Sequence, residues 1–138
     1  MLHKPTLLAF RQAIEAVSGL KRKSYDSSDC LVCAVGTLGI ALGYPYSEWA
    51  KDCDEERYNK NNGLFYPDGI AFKYHFDVNT VKTIEAFFEN WHEYRTLARE
   101  DLTPREERER VLKFIDDQLA LIAEHEALES PMPELVVV

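Results

Sequence analysis

Cysteine is scarce in this chain: Cys30, Cys33 and Cys53 are the only three. An odd count in a sequence of 138 residues excludes a disulfide framework, and reduced thiols are the expectation. Long apolar runs are missing as well. No stretch reaches the ~18 uncharged apolar residues that a bilayer-spanning helix requires. The opening Met-Leu-His-Lys-Pro-Thr has no uninterrupted apolar core and no small-residue cleavage site, so no secretory signal is expected and the cytoplasm is the expected compartment. Positive charge is sparse beyond the N-terminal segment. Residues 1–25 carry a net +4 and residues 26–138 a net −12, for −8 in all. A body this acidic repels phosphate backbones, which argues against nucleic acid as a partner. Lys21-Arg22-Lys23 is the one basic cluster, and it reads as a solvated loop. Internal repeats and low-complexity segments are absent.

What remains is the composition of one globular domain. Apolar residues make up 46% and charged residues 29%. A chain of this length hides roughly two-thirds of its unfolded surface and needs no staple. Residues 5–18 predict a first helix, with Pro5 in its first turn, Thr6 as a cap and Gly19 as its stop. Leu7, Phe10, Ile14 and Val17 recur at helical spacing, and Arg11, Gln12 and Glu15 fall on the other side. Ser27, Ser28 and Asp29 offer caps for the segment Cys30 to Leu42, which holds no charged residue. A helix apolar on every face belongs at the centre of a bundle. Gly36 and Gly39 each cost roughly 1 kcal/mol there against Ala, which implies close approach by a neighbour.

A short helix is expected from Ser47 to about Tyr58. Pro67-Asp68-Gly69 is a turn between two aromatic runs, which predicts a small β-hairpin near 64–76. Asn79 or Thr80 opens the next helix, expected to reach about Tyr94 on a stripe of Val81, Ile84, Phe88 and Trp91. Thr103-Pro104-Arg105-Glu106 is the strongest local signal, a capping box with Pro at the first helical position. The helix it opens is expected to run to Leu128, with Val111, Ile115, Leu119 and Ile122 inward. Arg105/Glu109 and Glu106/Arg110 are spaced for surface pairs worth a few tenths of a kcal/mol each. The expected fold is therefore mainly α: a compact bundle of about five helices around the 30–42 helix. It forms one domain over 1–129, followed by a Pro-containing apolar tail over 130–138.

Several constellations could carry chemistry. Cys30-Leu31-Val32-Cys33 is a C-x-x-C at a helix start, where thiol pKa values fall. Cys30 with His75 and Asp77 supplies the three types of group a thiol-dependent hydrolase or transferase needs, in the right chain order. The expected scaffold offers little sheet for such a site. Cys30, Cys33 and Cys53 are an alternative zinc set, although no second C-x-x-C or His pair completes it. Glu89-Asn90-Trp91-His92 is one Glu-x-x-His motif without the twin that a di-iron bundle requires. Asp52, Asp54, Glu55 and Glu56 lack calcium-loop spacing. Together with Glu89 and Glu93 they could instead form an acidic docking patch for a basic partner. The ending Leu135-Val136-Val137-Val138 is apolar and β-branched, and with Glu134 it offers a route to self-association over 134–138.

Three blocks carry a resemblance. Cys33-Ala34-Val35-Gly36-Thr37-Leu38 resembles the Cys-Ala-x-Gly-Ala-Leu helix of a family of small helical proteins from phages and actinobacteria. Asn90-Trp91-His92-Glu93 sits where that family has Trp-Asn-Asp, with His92 in place of Asn. Glu109-Arg110-Val111 with Phe114-Ile115 resembles its last helix. The resemblance implies a helical fold and a phage or bacterial source, and no mechanism. Taken together, the readings point away from an enzyme and from any cofactor. They point toward a protein-binding module, such as a phage-encoded modulator or inhibitor of a host protein, that acts through an acidic surface.

Overall fold

The computed structural model describes residues 1–20, 34–42, 75–90, 94 and 102–129. These form four helices and no strand: α1 (Lys4–Glu15), α2 (Ala34–Leu42), α3 (Val78–Glu89) and α4 (Pro104–Glu129). The class is mainly α, as the hydrophobic periodicity predicts. The expected helix over 47–58 lies outside the described residues, as do 64–74 of the expected hairpin. Its last two positions, His75 and Phe76, are not in a strand.

α1 forms because its apolar residues fall on one stripe. Leu7, Phe10 and Ile14 are fully buried, and Val17 packs beside them. Two expectations for this helix need correction. Thr6 does not cap it: the N-cap is His3, and Thr6 lies inside the first turn, buried. The helix also ends at Glu15, before Gly19. Its last turn tightens, with the N–H groups of Ala16 and Val17 donating to the carbonyls of Ala13 and Ile14. Gly19 serves another purpose. A Cβ at this position would stand 2.7 Å from Pro104 Cβ, and the next N–H, of Leu20, donates to the Pro104 carbonyl at 2.9 Å. Gly19 is what lets the chain leaving α1 touch the start of α4.

α2 is uncharged throughout, and Ala34, Val35, Thr37 and Leu38 are buried. The one hydroxyl among these four is satisfied, because Thr37 Oγ1 donates to the Ala34 carbonyl at 2.6 Å. Residues 30–33 of the expected central helix lie outside the described region.

α3 buries Val81, Ile84 and Phe88. Its cap is Asp77, not Asn79 or Thr80: the Asp77 carboxylate accepts from the Thr80 N–H at 2.9 Å. The helix stops at Glu89 rather than near Tyr94. Asn90 there adopts φ 59, a left-handed conformation that Asn tolerates well, and its N–H closes the last turn.

α4 begins as its sequence predicts. Thr103 N–H donates to Glu106 Oε1 at 2.9 Å, and Glu106 N–H donates to Thr103 Oγ1 at 3.2 Å. Val111, Ile115 and Ile122 are buried and Leu119 packs partly against them. α1 packs against α2 and α4, and α3 packs against the same two helices. Ion pairs from Lys4 to Glu126 and from Arg11 to Asp116 show that α1 and α4 run antiparallel. Both pairs are about half exposed, so they set register more than they add stability. The stabilisation comes from the core, where each fully buried Phe, Leu or Ile contributes roughly 1.5–3 kcal/mol.

Candidate functional site

Two polar clusters organise the structure around α4 and the N-terminus. The first uses two arginines on α4. α1 has no basic residue in its last turn, so its carbonyls lack a local cation. Arg108 supplies one from across the interface. Its Nε donates to Val17 O at 2.8 Å and Ile14 O at 3.2 Å, and Nη2 donates to Glu15 O at 3.1 Å. Arg110 does the same for α3. Its Nη2 donates to the carbonyls of Phe87 and Phe88 at 3.1 and 3.0 Å, and its guanidinium lies 4.3 Å from the Phe87 ring centroid. Glu107, buried on the same helix, reaches Arg110 Nε at 3.4 Å. The expected Glu106/Arg110 pair is replaced by these contacts, because Glu106 is committed to the capping box. Arg108 pairs with Glu109 at 2.8 Å.

The second cluster joins the starts of α1 and α3. His3 N–H donates to Thr80 Oγ1 at 2.7 Å, Thr80 Oγ1 donates to Asp77 Oδ2 at 2.7 Å, and Asp77 N–H donates to Thr6 Oγ1 at 3.1 Å. The His3 ring shares a hydrogen bond with Thr6 Oγ1 at 2.8 Å. Thr6 and Thr80 are buried. The Thr80 hydroxyl and N–H hold the Asp77 carboxyl below its ordinary range, and His3 adds a favourable charge. All four side chains are used to fasten two helix ends together. Of the proposed thiol-enzyme trio, Asp77 is therefore in this cap. His75 is exposed, with φ 65, and Cys30 lies outside the described residues. Cys33 and Cys53 lie outside as well. Among the described residues no group of three or more His, Cys, Asp or Glu side chains is arranged to hold a metal ion.

The surface of α4 is the third feature. Its buried stripe is Glu107, Val111, Ile115 and Ile122. A second apolar line, Phe114, Leu121 and Leu128, lies at heptad spacing, so it drifts only about 40° over its length. Phe114 is covered, stacked 4.1 Å from Phe87 and edge-on to Tyr94. Leu121 is 51% exposed and Leu128 86%. Around them charge is one-sided. Residues 116–129 contain Asp116, Asp117, Glu124, Glu126 and Glu129 and no Lys or Arg. All five carboxylates are exposed. Lys4, Arg11 and Lys113 offset three of them from outside the segment, through Glu126, Asp116 and Asp117.

Of the acidic docking residues expected from the sequence, Glu89 is only 7% exposed. It presents little surface to a partner. Asp52, Asp54, Glu55, Glu56 and Glu93 lie outside the described residues. In the sequence alone, Asp116, Asp117, Glu124, Glu126 and Glu129 look like an ordinary solvated helix face. The signal that could have singled them out is the change in charge along α4: four Lys/Arg in 104–115, none in 116–129. No helix among the described residues is long and apolar enough to cross a membrane. Comparison of the chain with protein-family models, with curated proteins and with solved structures gives no match.

Proposed function

We propose that the protein is a non-enzymatic binding module that docks a protein partner through an acidic surface. One observation carries the reading: the C-terminal half of α4 exposes five carboxylates, holds no Lys or Arg, and leaves two leucines in water. An exposed apolar patch rimmed by polar residues suits a protein partner, and a field of one sign attracts a partner of the other. Asp52, Asp54, Glu55, Glu56 and Glu93 would extend the acidic field. The resemblance to small phage and actinobacterial proteins suggests a modulator or inhibitor of a host protein. The 30–42 segment serves in this reading as the hydrophobic axle of a helical bundle.

Affinity capture with a paired variant tests the proposal. The triple change Asp117→Asn, Glu124→Gln and Glu129→Gln leaves the two ion pairs to α1 in place. The expected result is a protein enriched by the wild type and lost with the triple variant. Equal enrichment by both would contradict the acidic-surface reading.

A second reading, a thiol-dependent hydrolase or transferase using Cys30, His75 and Asp77, draws on one observation. His75 is exposed and left-handed two residues before Asp77, and non-glycine residues in such conformations cluster at functional sites. Alkylation of Cys30 across pH separates the readings. An apparent thiol pKa well below the ~8.5 of a free cysteine, raised again in a His75→Ala variant, would favour the enzyme.

A further inference from the structure

We infer that the partner contributes a basic, leucine-bearing amphipathic helix, which lies along α4 on the line Phe114–Leu121–Leu128. This rests on the binding-module reading and names what that module takes. The line starts inside an existing interface. Phe114 is stacked against Phe87 at 4.1 Å, with Tyr94 edge-on to both rings, so α3 already packs on this stripe of α4. One and two heptads further on, the same stripe has lost its cover: Leu121 is half exposed and Leu128 almost fully so. A second helix laid on this stripe would bury both leucines at the spacing by which helices pair.

The bordering residues define the chemistry of that helix. Asp117 and Glu124 flank the line on one side at i+3 and i−4 positions to the leucines. Gln118 and His125 flank it on the other, at i−3 and i+4 to Leu121, and His125 pairs with Glu129 at 3.0 Å. The border holds no Lys or Arg from 116 to 129. On the side of Asp117 and Glu124 an acidic helix would meet like charge and a neutral helix would leave Glu124 unanswered. A helix with Lys or Arg flanking its leucines on that side meets Glu124 and Asp117, the latter shared with Lys113. A second copy of α4 is disfavoured by the same argument, because the C-terminal halves carry the same sign.

The test uses the full-length protein and a synthetic helical peptide of about three heptads, with Leu at the first and fourth positions and Lys at the flanking ones. A control peptide has the same composition, scrambled so that Leu falls on every face. Titration calorimetry is expected to show binding of the patterned peptide at least about tenfold tighter than the scrambled one. Leu121→Ser with Leu128→Ser is expected to weaken it at least about tenfold, with helicity by circular dichroism unchanged because both positions are exposed. No binding of the patterned peptide, or equal binding of both peptides, overturns the inference. If the leucine variant binds like wild type while Asp117→Asn with Glu124→Gln weakens binding, the leucine line is wrong and the acidic surface stands. If neither variant changes binding, both readings fail. A wild-type dimer by sedimentation that becomes monomeric in the leucine variant would assign the face to self-association and overturn the inference.

Discussion

Arg108 is the residue whose loss the fold should feel most among its exposed or half-exposed side chains. It donates to three carbonyls at the end of α1 that have no basic group of their own helix nearby. Hydrogen bonds from a charged donor contribute roughly 1.5–3 kcal/mol, and one guanidinium here serves several acceptors. Arg108→Met keeps the stem and removes the donors, and is expected to destabilise by about 2 kcal/mol in chemical denaturation. Arg108→Lys should recover only part of this, since one ammonium cannot span the fork. Asp77 makes a different prediction, one that depends on pH. Its folded carboxyl titrates below the ordinary aspartate value because Thr80 hydrogen-bonds the charged form. A depressed pKa stabilises the fold above the unfolded-state value near 3.9, and the gain is lost as pH falls through the folded one. Asp77→Ala is expected to cost about 1 kcal/mol at neutral pH, whereas Asp77→Asn keeps most of the cap. The stability gap between wild type and Asp77→Asn should close below about pH 4, measured by thermal melts across pH. None of this was legible in the sequence. Asp77 stands where a catalytic orienter would stand, and only the Thr80 contacts reveal it as a cap.

The helices divide into what local rules can decide and what they cannot. α4 was readable down to its first residue because a capping box is local, fixed by Thr103, Pro104 and Glu106 alone. Thr103→Ala is expected to cost about 1 kcal/mol, with fraying confined to the first turn in hydrogen exchange. The buried stripes of α1, α3 and α4 were readable too, since periodicity reports burial directly. The ends were not. α1 stops at Glu15, where Arg108 arrives from 93 residues away to take its carbonyls, and α3 stops at Glu89, where Arg110 takes the carbonyls just upstream. Partners that distant leave no trace in a local window. Gly19 illustrates the same limit. It looks like a helix stop, yet it is the contact point for Pro104. Gly19→Ala pushes a Cβ to 2.7 Å from the proline and is expected to destabilise by about 1–3 kcal/mol, read from the denaturation midpoint.

At the scale of the whole molecule, α4 ties α1 to α3, while α2 packs on those two helices. α4 packs on α1 and α3, caps the C-termini of both, and meets the chain leaving α1 at Pro104. The capping and the Pro104 contact use its basic N-terminal half. The acidic half contributes Ile122 and Leu119 to the core and the half-exposed pairs to Lys4 and Arg11. Charge along one helix thus separates a basic half that caps its neighbours from an acidic half whose carboxylates face solvent. That separation makes salt dependence the direct measure of the function proposed. Exposed charges are screened within a Debye length of ~10 Å at 0.1 M salt and ~3 Å at 1 M. Titration of the captured partner, repeated between about 0.05 and 0.5 M salt, is expected to show affinity falling at least about tenfold for wild type. It should fall far less for the variant with Asp117, Glu124 and Glu129 neutralised. An affinity independent of salt, or one that falls equally in both proteins, would contradict docking through the acidic end of α4.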